Sequence, residues 1–337
     1  MATLAVTHPT LLDLAKRTDP DGKIAVIAEI LNATNEILDD MTWKEGNLVT
    51  GHRSTTRTGL PTPTWRKLYG GVQPTKSRTA QVNDSCGMLE AYAEIDKALA
   101  DLAGNTSEFR LSESKPHLEG MSQEIAQTLF YGNEGTEPEA FTGLGPRFNS
   151  LAAANAENIL VGGGAGADNG SIWLVGWSES TVFGIVPKGS KAGIQMEDKG
   201  QVTIENVDGS GGRMEAYRTH FRWDAGLAVP DWRYVVRIPN IDKSALSVVY
   251  NAGTFASGAH LPNLMYQAIE RLPSLSNCRP VFYMSRTMRQ TLRQQIAAAV
   301  QNSTLQVDNV GGKMLMSFHE IPVKRCDALA ADEALVA

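Results

Sequence analysis

An α+β fold follows from three observations. Apolar residues recur at helical spacing in 23–41, in 112–131 and in two stretches of the last hundred residues. Between 150 and 240 the pattern changes to short apolar and aromatic runs separated by Gly, Asp and Ser, as strands joined by turns require. At 337 residues, 42% hydrophobic and 20% charged, the chain is long enough for a large core or two lobes.

The elements follow in chain order. Residues 1–22 carry little pattern and read as an extended arm. From Lys23 to Met41, Ile24, Ile27, Leu31 and Leu38 form an amphipathic stripe widened by Val26, Ile30 and Ile37, with Asp19 or Asp21 as N-cap. Residues 46–83 hold Arg53, Arg57, Arg66, Lys67, Lys76 and Arg78 and no acidic residue, leaving 25 basic against 37 acidic residues elsewhere, a balance of −12. Thr, Gly and Pro are frequent there, with short β-type runs at Asn47–Thr50 and Thr64–Tyr69 around Gly59-Leu60-Pro61. The segment reads as a protruding two-stranded arm lying on something acidic, against the plainer alternative of a solvated basic loop. Leu89, Ala91, Ala93 and Ile95 alternate with polar residues and Tyr92, which favours a half-buried strand leading to a short helix through Leu102, with a helix from Met88 onward nearly as compatible. A helix is predicted over 112–131, with Pro116 near its start, Leu118, Met121, Ile125 and Leu129 on one face, and Gly132 as its stop.

Further on, Ile172–Trp177 and Thr181–Val186 read as strands, and Gln201–Val207 with Arg213–Trp223 as a hairpin. Trp232–Ile238 is another strand. Leu261–Leu272 is helical, Arg279–Met284 a buried strand, and Ser285 caps a helix bearing Met288, Leu292, Ile296 and Val300. Lys313–Arg325 reads as a strand pair turning at Glu320-Ile321-Pro322.

Chemical motifs are incomplete. Gly162-Gly163-Gly164-Ala165-Gly166 lacks the strand–glycine–helix context of a dinucleotide loop, and Gly184–Lys191 has Ser190 where a phosphate loop needs Lys. The six histidines and three cysteines (Cys86, Cys278, Cys326) show no metal-ligand spacing, no G-x-S-x-G elbow occurs, and carboxylate pairs such as Glu197/Asp198 read as solvated. Arg286, Arg289 and Arg293 share a helix face, read as solvated or subunit-facing rather than phosphate-binding. The aromatic residues Trp173, Trp177, Tyr217, Trp223, Trp232 and Tyr234 read as β-core. The net charge of −6 argues against a general nucleic-acid binder, and no run reaches the ~18 apolar residues of a membrane helix. No catalytic residue, cofactor or metal is expected.

Three stretches, DLAKRTDPDGKIAVIAEILNATNEILDDM leading into WKEGNLVTGHRSTTRTGLPTPTWR (13–66), SQEIAQTLFYGNEGTEPEAFTGL (122–144), and VPDWRYVVRIPNI with EIPVKRCDAL (229–241 and 320–329), resemble the major capsid proteins of tailed bacteriophages, the Hong Kong 97-type fold. The resemblance covers nearly the whole chain. It implies a structural shell subunit, not an enzyme, forming pentamers and hexamers that close into an icosahedral head around double-stranded DNA. It implies an N-terminal arm (1–22), an N-terminal helix (23–45), an extended loop (46–83), a peripheral domain with a long spine helix (84–150), and an axial domain (151–337) with a β-rich insertion at about 160–228 and return strands to the peripheral domain. The basic residues of the loop become subunit-interface candidates. A scaffolding protein, a portal, packaged DNA on the inner face and a decoration protein become candidate partners, with assembly in the host cytoplasm, a place in the virion and no membrane. No long cleaved scaffold segment fits ahead of the first helix. Competing readings are a bacterial nanocompartment shell, another virion component, and a hydrolase with dispersed active-site residues.

Overall fold

A computed structural model describes residues 33, 35–102, 106–205, 211–247, 249–251, 254–255, 257–298, 305–310, 313–330 and 332–337. The expected arm and most of the expected first helix lie outside them. What is described of that helix is one turn, α1 (Ile37–Asp40), after which Trp43–Glu45 form strand β1 rather than helix.

The chain divides into two compact units, one of Met88–Ile125 and Lys191–Asp224 with the N-terminal Met1–Ala33, the other of Thr34–Gly87, Ala126–Ser190 and Ala225–Ala337. Strands β2 (Gly51–Gly59), β3 (Arg78–Asp96), β4 (Asn169–Trp177), β5 (Phe183–Val186), β6 (Gln195–Glu205) and β7 (Arg213–Ala228) follow β1. One sheet has the order β1-β5-β7-β3-β2, with β6 pairing on β7. The β6–β7 hairpin begins earlier than expected, with Gln195 pairing to Arg222, and β7 runs on to Ala228 because it pairs there with Phe183 of β5.

In the first unit, α2 (Lys97–Leu102) follows β3; the helix α3 runs from Thr106 to Tyr131, its part after Ile125 belonging to the second unit. It starts six residues before the predicted helix, so Pro116 lies inside it. Interior proline costs roughly 3 kcal/mol. Phe109, fully buried with Ile95, Leu99 and Ala100, offsets about 1.5–3 kcal/mol of that. On that turn the hydroxyls of Ser112 and Ser114 donate to the carbonyls of Phe109 and Arg110. Ion pairs finish this unit, Lys199–Glu197 at 2.5 Å exposed, Arg110–Asp198 at 2.5 Å and Arg218–Glu94 at 2.6 Å partly buried. Glu197 and Asp198 are therefore paired, not merely solvated.

The second unit is built on a six-stranded sheet of order β12-β13-β14-β11-β4-β8. Its remaining strands are β8 (Val235–Asp242), β11 (Arg279–Met284), β12 (Leu305–Val310), β13 (Lys313–Phe318) and β14 (Ile321–Arg325); β9 (Tyr250–Asn251) and β10 (Thr254–Phe255) pair separately. β4 is buried at every residue, lying between β11 and β8 and antiparallel to both. One face packs Ile172, Leu174, Phe282 and Met284 against Leu261 and Met265 of α5 (Leu261–Arg271) and Met288 and Leu292 of α6 (Arg286–Ala298), α4 being the short helix Leu144–Arg147. On Trp173, Phe130 and Phe148 close at ring distances of 6.0 and 6.2 Å. Of the aromatic residues of the β-rich stretch, Trp173, Trp177, Trp223 and Tyr234 are buried core, whereas Tyr217 and Trp232 are half-buried.

Three local readings change. Trp232–Tyr234 is a 3-10 turn, capped by the Asp231 side chain, so the strand begins at Val235. The β13–β14 turn is His319-Glu320, both at positive φ, with Phe318 paired to Ile321. The glycine run packs flat along β8: Gly162 and Gly164 donate to the carbonyls of Pro239 and Asn240, and a Cβ at 162 would lie 2.8 Å from Asn240 O. Close backbone approach, not phosphate binding, explains those glycines.

Candidate interaction surface

The six predicted basic residues all fall on one hairpin of the second unit. β2 and β3 pair antiparallel from Gly51↔Ser85 to Arg57↔Thr79, then shift register so that Gly59 faces Arg78. Because paired residues share a face, Arg53 and Arg57 lie on one side and Arg78 on the other. Between the strands 60–77 contains no strand, so the Thr64–Tyr69 run is loop: no second run lies opposite it in the ladder. Arg66, Lys67 and Lys76 sit in that loop, and all six cations are exposed. Arg53 Nε donates to Asn83 at 2.8 Å. Among the described residues, none of the six forms an ion pair with a carboxylate.

The hairpin's root is tied into the second unit by several polar contacts. Asp84, buried, pairs with Arg147 at 2.8 Å. Arg147 also donates to the carbonyls of Thr142, Gly143 and Leu227 at 3.1–3.2 Å. Ser85 donates to Glu134 in the loop that follows α3. His52 lies edge-on to Phe183 at 5.4 Å, and burial, aided by Lys44, lowers its pKa against the opposing pull of Asp84. The helix stop predicted at Gly132 is part of the same joint: Gly143 N donates to Gly132 O at 2.8 Å, closing the 133–142 loop on itself.

Two sets of residues here escaped the sequence reading. Asp84 and Arg147 are far apart in sequence, and nothing local marks them as partners. Trp65, Leu68 and Tyr69 looked like a β-run, whereas they project from the loop with 99%, 89% and 100% of their surface exposed. The interleaving of Trp65 and Leu68-Tyr69 with Arg66-Lys67 was the available signal.

A cleft of about 500 Å³ is lined by Tyr131, Asn133, Arg237, Glu333 and Leu335, and its Tyr131, Arg237 and Glu333 side chains pair with one another. Of the arginine stripe, Arg286 pairs with Asp327 at 2.7 Å and Arg293 contacts Met316. Among the described residues no group of His, Cys, Asp or Glu could hold a metal, and no helix is long and apolar enough to cross a membrane.

Comparison with known proteins supplies the context. The model of the family described as Major capsid protein GP7 matches residues 19–337. A chain of the bacteriophage Epsilon15 structure superposes with a TM-score of 0.77 at 37% identity, covering 100% of both chains. A bacteriophage JBD30 capsid chain matches at 0.47 and 7% identity over 88% of this chain and 91% of that one; a capsid chain of the native GTA particle matches at 0.46 and 9% over 66% and 95%. The last two are too distant to carry an argument. No curated protein matches the chain. The fold is thus the α+β, Hong Kong 97-like fold of tailed-phage capsids, and the protein is a structural shell subunit of the virion that assembles with copies of itself, not an enzyme. The chain belongs to the Major capsid protein GP7 family.

Proposed function

We propose that the hairpin 46–83 is the extended loop of this shell subunit and lies across a neighbouring copy, steered there by charge. The observation that carries this is six exposed cations on an arm with no acidic residue, against a balance of −12 in the rest of the chain. A neighbouring copy is therefore acidic on average. Single exposed ion pairs contribute little, at about 0–1 kcal/mol each, so their joint effect is on encounter rate and on rejecting wrong registers. The Asp84–Arg147 pair at the root supports the reading, because an arm that must meet a defined site on a neighbour gains from an anchored base.

Within this reading 1–22 is the N-terminal arm and 23–45 the first helix. Residues 84–150 carry the peripheral domain with its spine helix, and 151–337 the axial domain apart from Lys191–Asp224. The compact grouping of Lys191–Asp224 with Met88–Ile125 supports assigning that part of the β-rich stretch to the peripheral domain. Pentamers and hexamers close the shell, with double-stranded DNA inside, and a scaffolding protein, a portal and a decoration protein are the partners the family resemblance suggests. Assembly takes place in the host cytoplasm.

Replacing Arg53, Arg57, Arg66 and Lys67 by Glu tests the loop. All four are exposed, so the expected outcome is a folded subunit by circular dichroism that yields no closed particles in negative-stain images. Particles of normal number and shape from this variant overturn the proposal.

A further inference from the structure

We infer that Trp65, Leu68 and Tyr69 form a preset apolar anchor that is buried against a second copy of this chain. The inference rests on the loop reading above and adds what that reading lacks, a source of affinity. The three side chains are among the most exposed large apolar groups of the described residues, at 99%, 89% and 100%. They are not loosely displayed. Gly70 N donates to Lys67 O at 3.0 Å, which closes a turn over Leu68 and Tyr69. Tyr69 holds φ at 65°, a left-handed conformation that bulky side chains avoid and that this kind of turn normally gives to Gly. A strained backbone that turns an aromatic ring into solvent is the sort of outlier from which function is inferred.

The composition fits an interface centre. Trp, Tyr and Arg are the residue types that dominate binding hot spots, and here Arg66 and Lys67 stand between Trp65 and Leu68-Tyr69. Two aromatic side chains bury roughly 300–500 Å² between them, a large part of the ~800 Å² each partner contributes to a stable interface. A second copy is the occupant for two reasons. The chain belongs to a family whose members surround themselves with copies, and the remainder of the chain has the sign that Arg66 and Lys67 require. Duplex DNA would satisfy the cations but offers its phosphates, not an apolar surface, to the rings.

The test uses the full-length chain. Trp65→Ala combined with Tyr69→Ala removes two exposed side chains, so secondary structure and urea midpoint should match the parent. Closed-particle yield, measured by sedimentation and negative stain, should fall at least about tenfold, the scale of losing one interface hot spot. In parallel, the difference in tryptophan fluorescence between the parent and Trp65→Phe isolates Trp65. It should be freely quenched by acrylamide in unassembled subunits and shielded in empty particles. Normal yield from the double variant, or equal quenching in both states, overturns the anchor. So does shielding that arises only when packaged DNA or a decoration protein is added. If the double variant assembles while the four-residue charge reversal does not, the anchor alone is wrong; if both assemble, the loop reading is wrong as well.

Discussion

Glu333→Ala probes how the last residues of the chain are held. Arg237 and Glu333 are 5% and 8% exposed and pair at 2.7 Å. Arg237 also donates to Ser171 at 3.2 Å and to Phe148 O at 2.9 Å, and lies over the Trp173 ring at 5.0 Å. The second oxygen of Glu333 accepts from Tyr131 at 2.6 Å, and Tyr131 in turn accepts from Ala330 N at 2.9 Å. Removing the carboxylate leaves a buried guanidinium without its counter-charge, which costs about 3–5 kcal/mol. At roughly 2–3 °C per kcal/mol for a chain of this size, the melting temperature should drop by about 6–15 °C. The comparison variant is Arg237→Met with Glu333→Leu, which removes both charges and should recover most of the loss, since well-packed apolar replacements of buried pairs are often neutral. Calorimetry and urea titration of unassembled subunits measure both. A single variant within about 1 kcal/mol of the parent, below the low end for a broken buried pair, would refute the network as the clasp of residues 332–337.

Two further outcomes follow from the same structure. Burial and the neighbouring Glu333 raise the pKa of Tyr131, and burial and Asp40 raise that of Tyr283. With folded-state values above the unfolded ~10, each tyrosine contributes stability that is complete below pH ~10 and is lost as pH rises further, at up to about 1.4 kcal/mol per pH unit per group; Tyr131→Phe should flatten part of that alkaline decline in urea midpoints, and an unchanged slope would count against it. At Gly143 an added Cβ would stand 2.7 Å from Leu129 O, so Gly143→Ala should destabilise by about 1–3 kcal/mol in the same titration, with Gly71→Ala, which meets nothing, as the neutral control.

What the sequence made legible and what it hid divide along a physical line. Leu261–Arg271 and Arg286–Ala298 have their apolar stripe on one face, and both were readable because a helix encodes its packing within a few residues. The basic arm was readable from composition alone. Hidden were the features decided by distant partners. The start of α3 was misplaced because Pro116 is a strong local signal, while the burial of Phe109 against Ile95 and Leu99 is a tertiary one. Strand β4 reads as one short run among several, and only its two neighbours reveal it as an interior strand of the second sheet. The surface followed the same rule: charge was visible, but the exposure of Trp65 and Tyr69 was not, since an apolar run carries no local mark of whether anything covers it.

The helix stop and the arm turn out to be one device. Gly132 and Gly143 let the 133–142 loop fold back onto the end of α3, and a side chain at either would collide with backbone carbonyls, with 2.5 Å to Phe141 O at Gly132. That return delivers Arg147, which holds Asp84 and three carbonyls at the base of β3. Ser85 reaches the same loop at Glu134, and Gly87 passes so close that a Cβ would lie 2.9 Å from Glu139 O. The direction in which β2 and β3 leave the body is therefore set by backbone contacts and one buried ion pair, not by the arm's own weak two-stranded pairing. A hairpin so anchored can be long, polar and thinly packed along its length without losing its aim. This accounts for a segment that lacks a core of its own and yet carries both the charge and the aromatic tip assigned to contact with the next subunit.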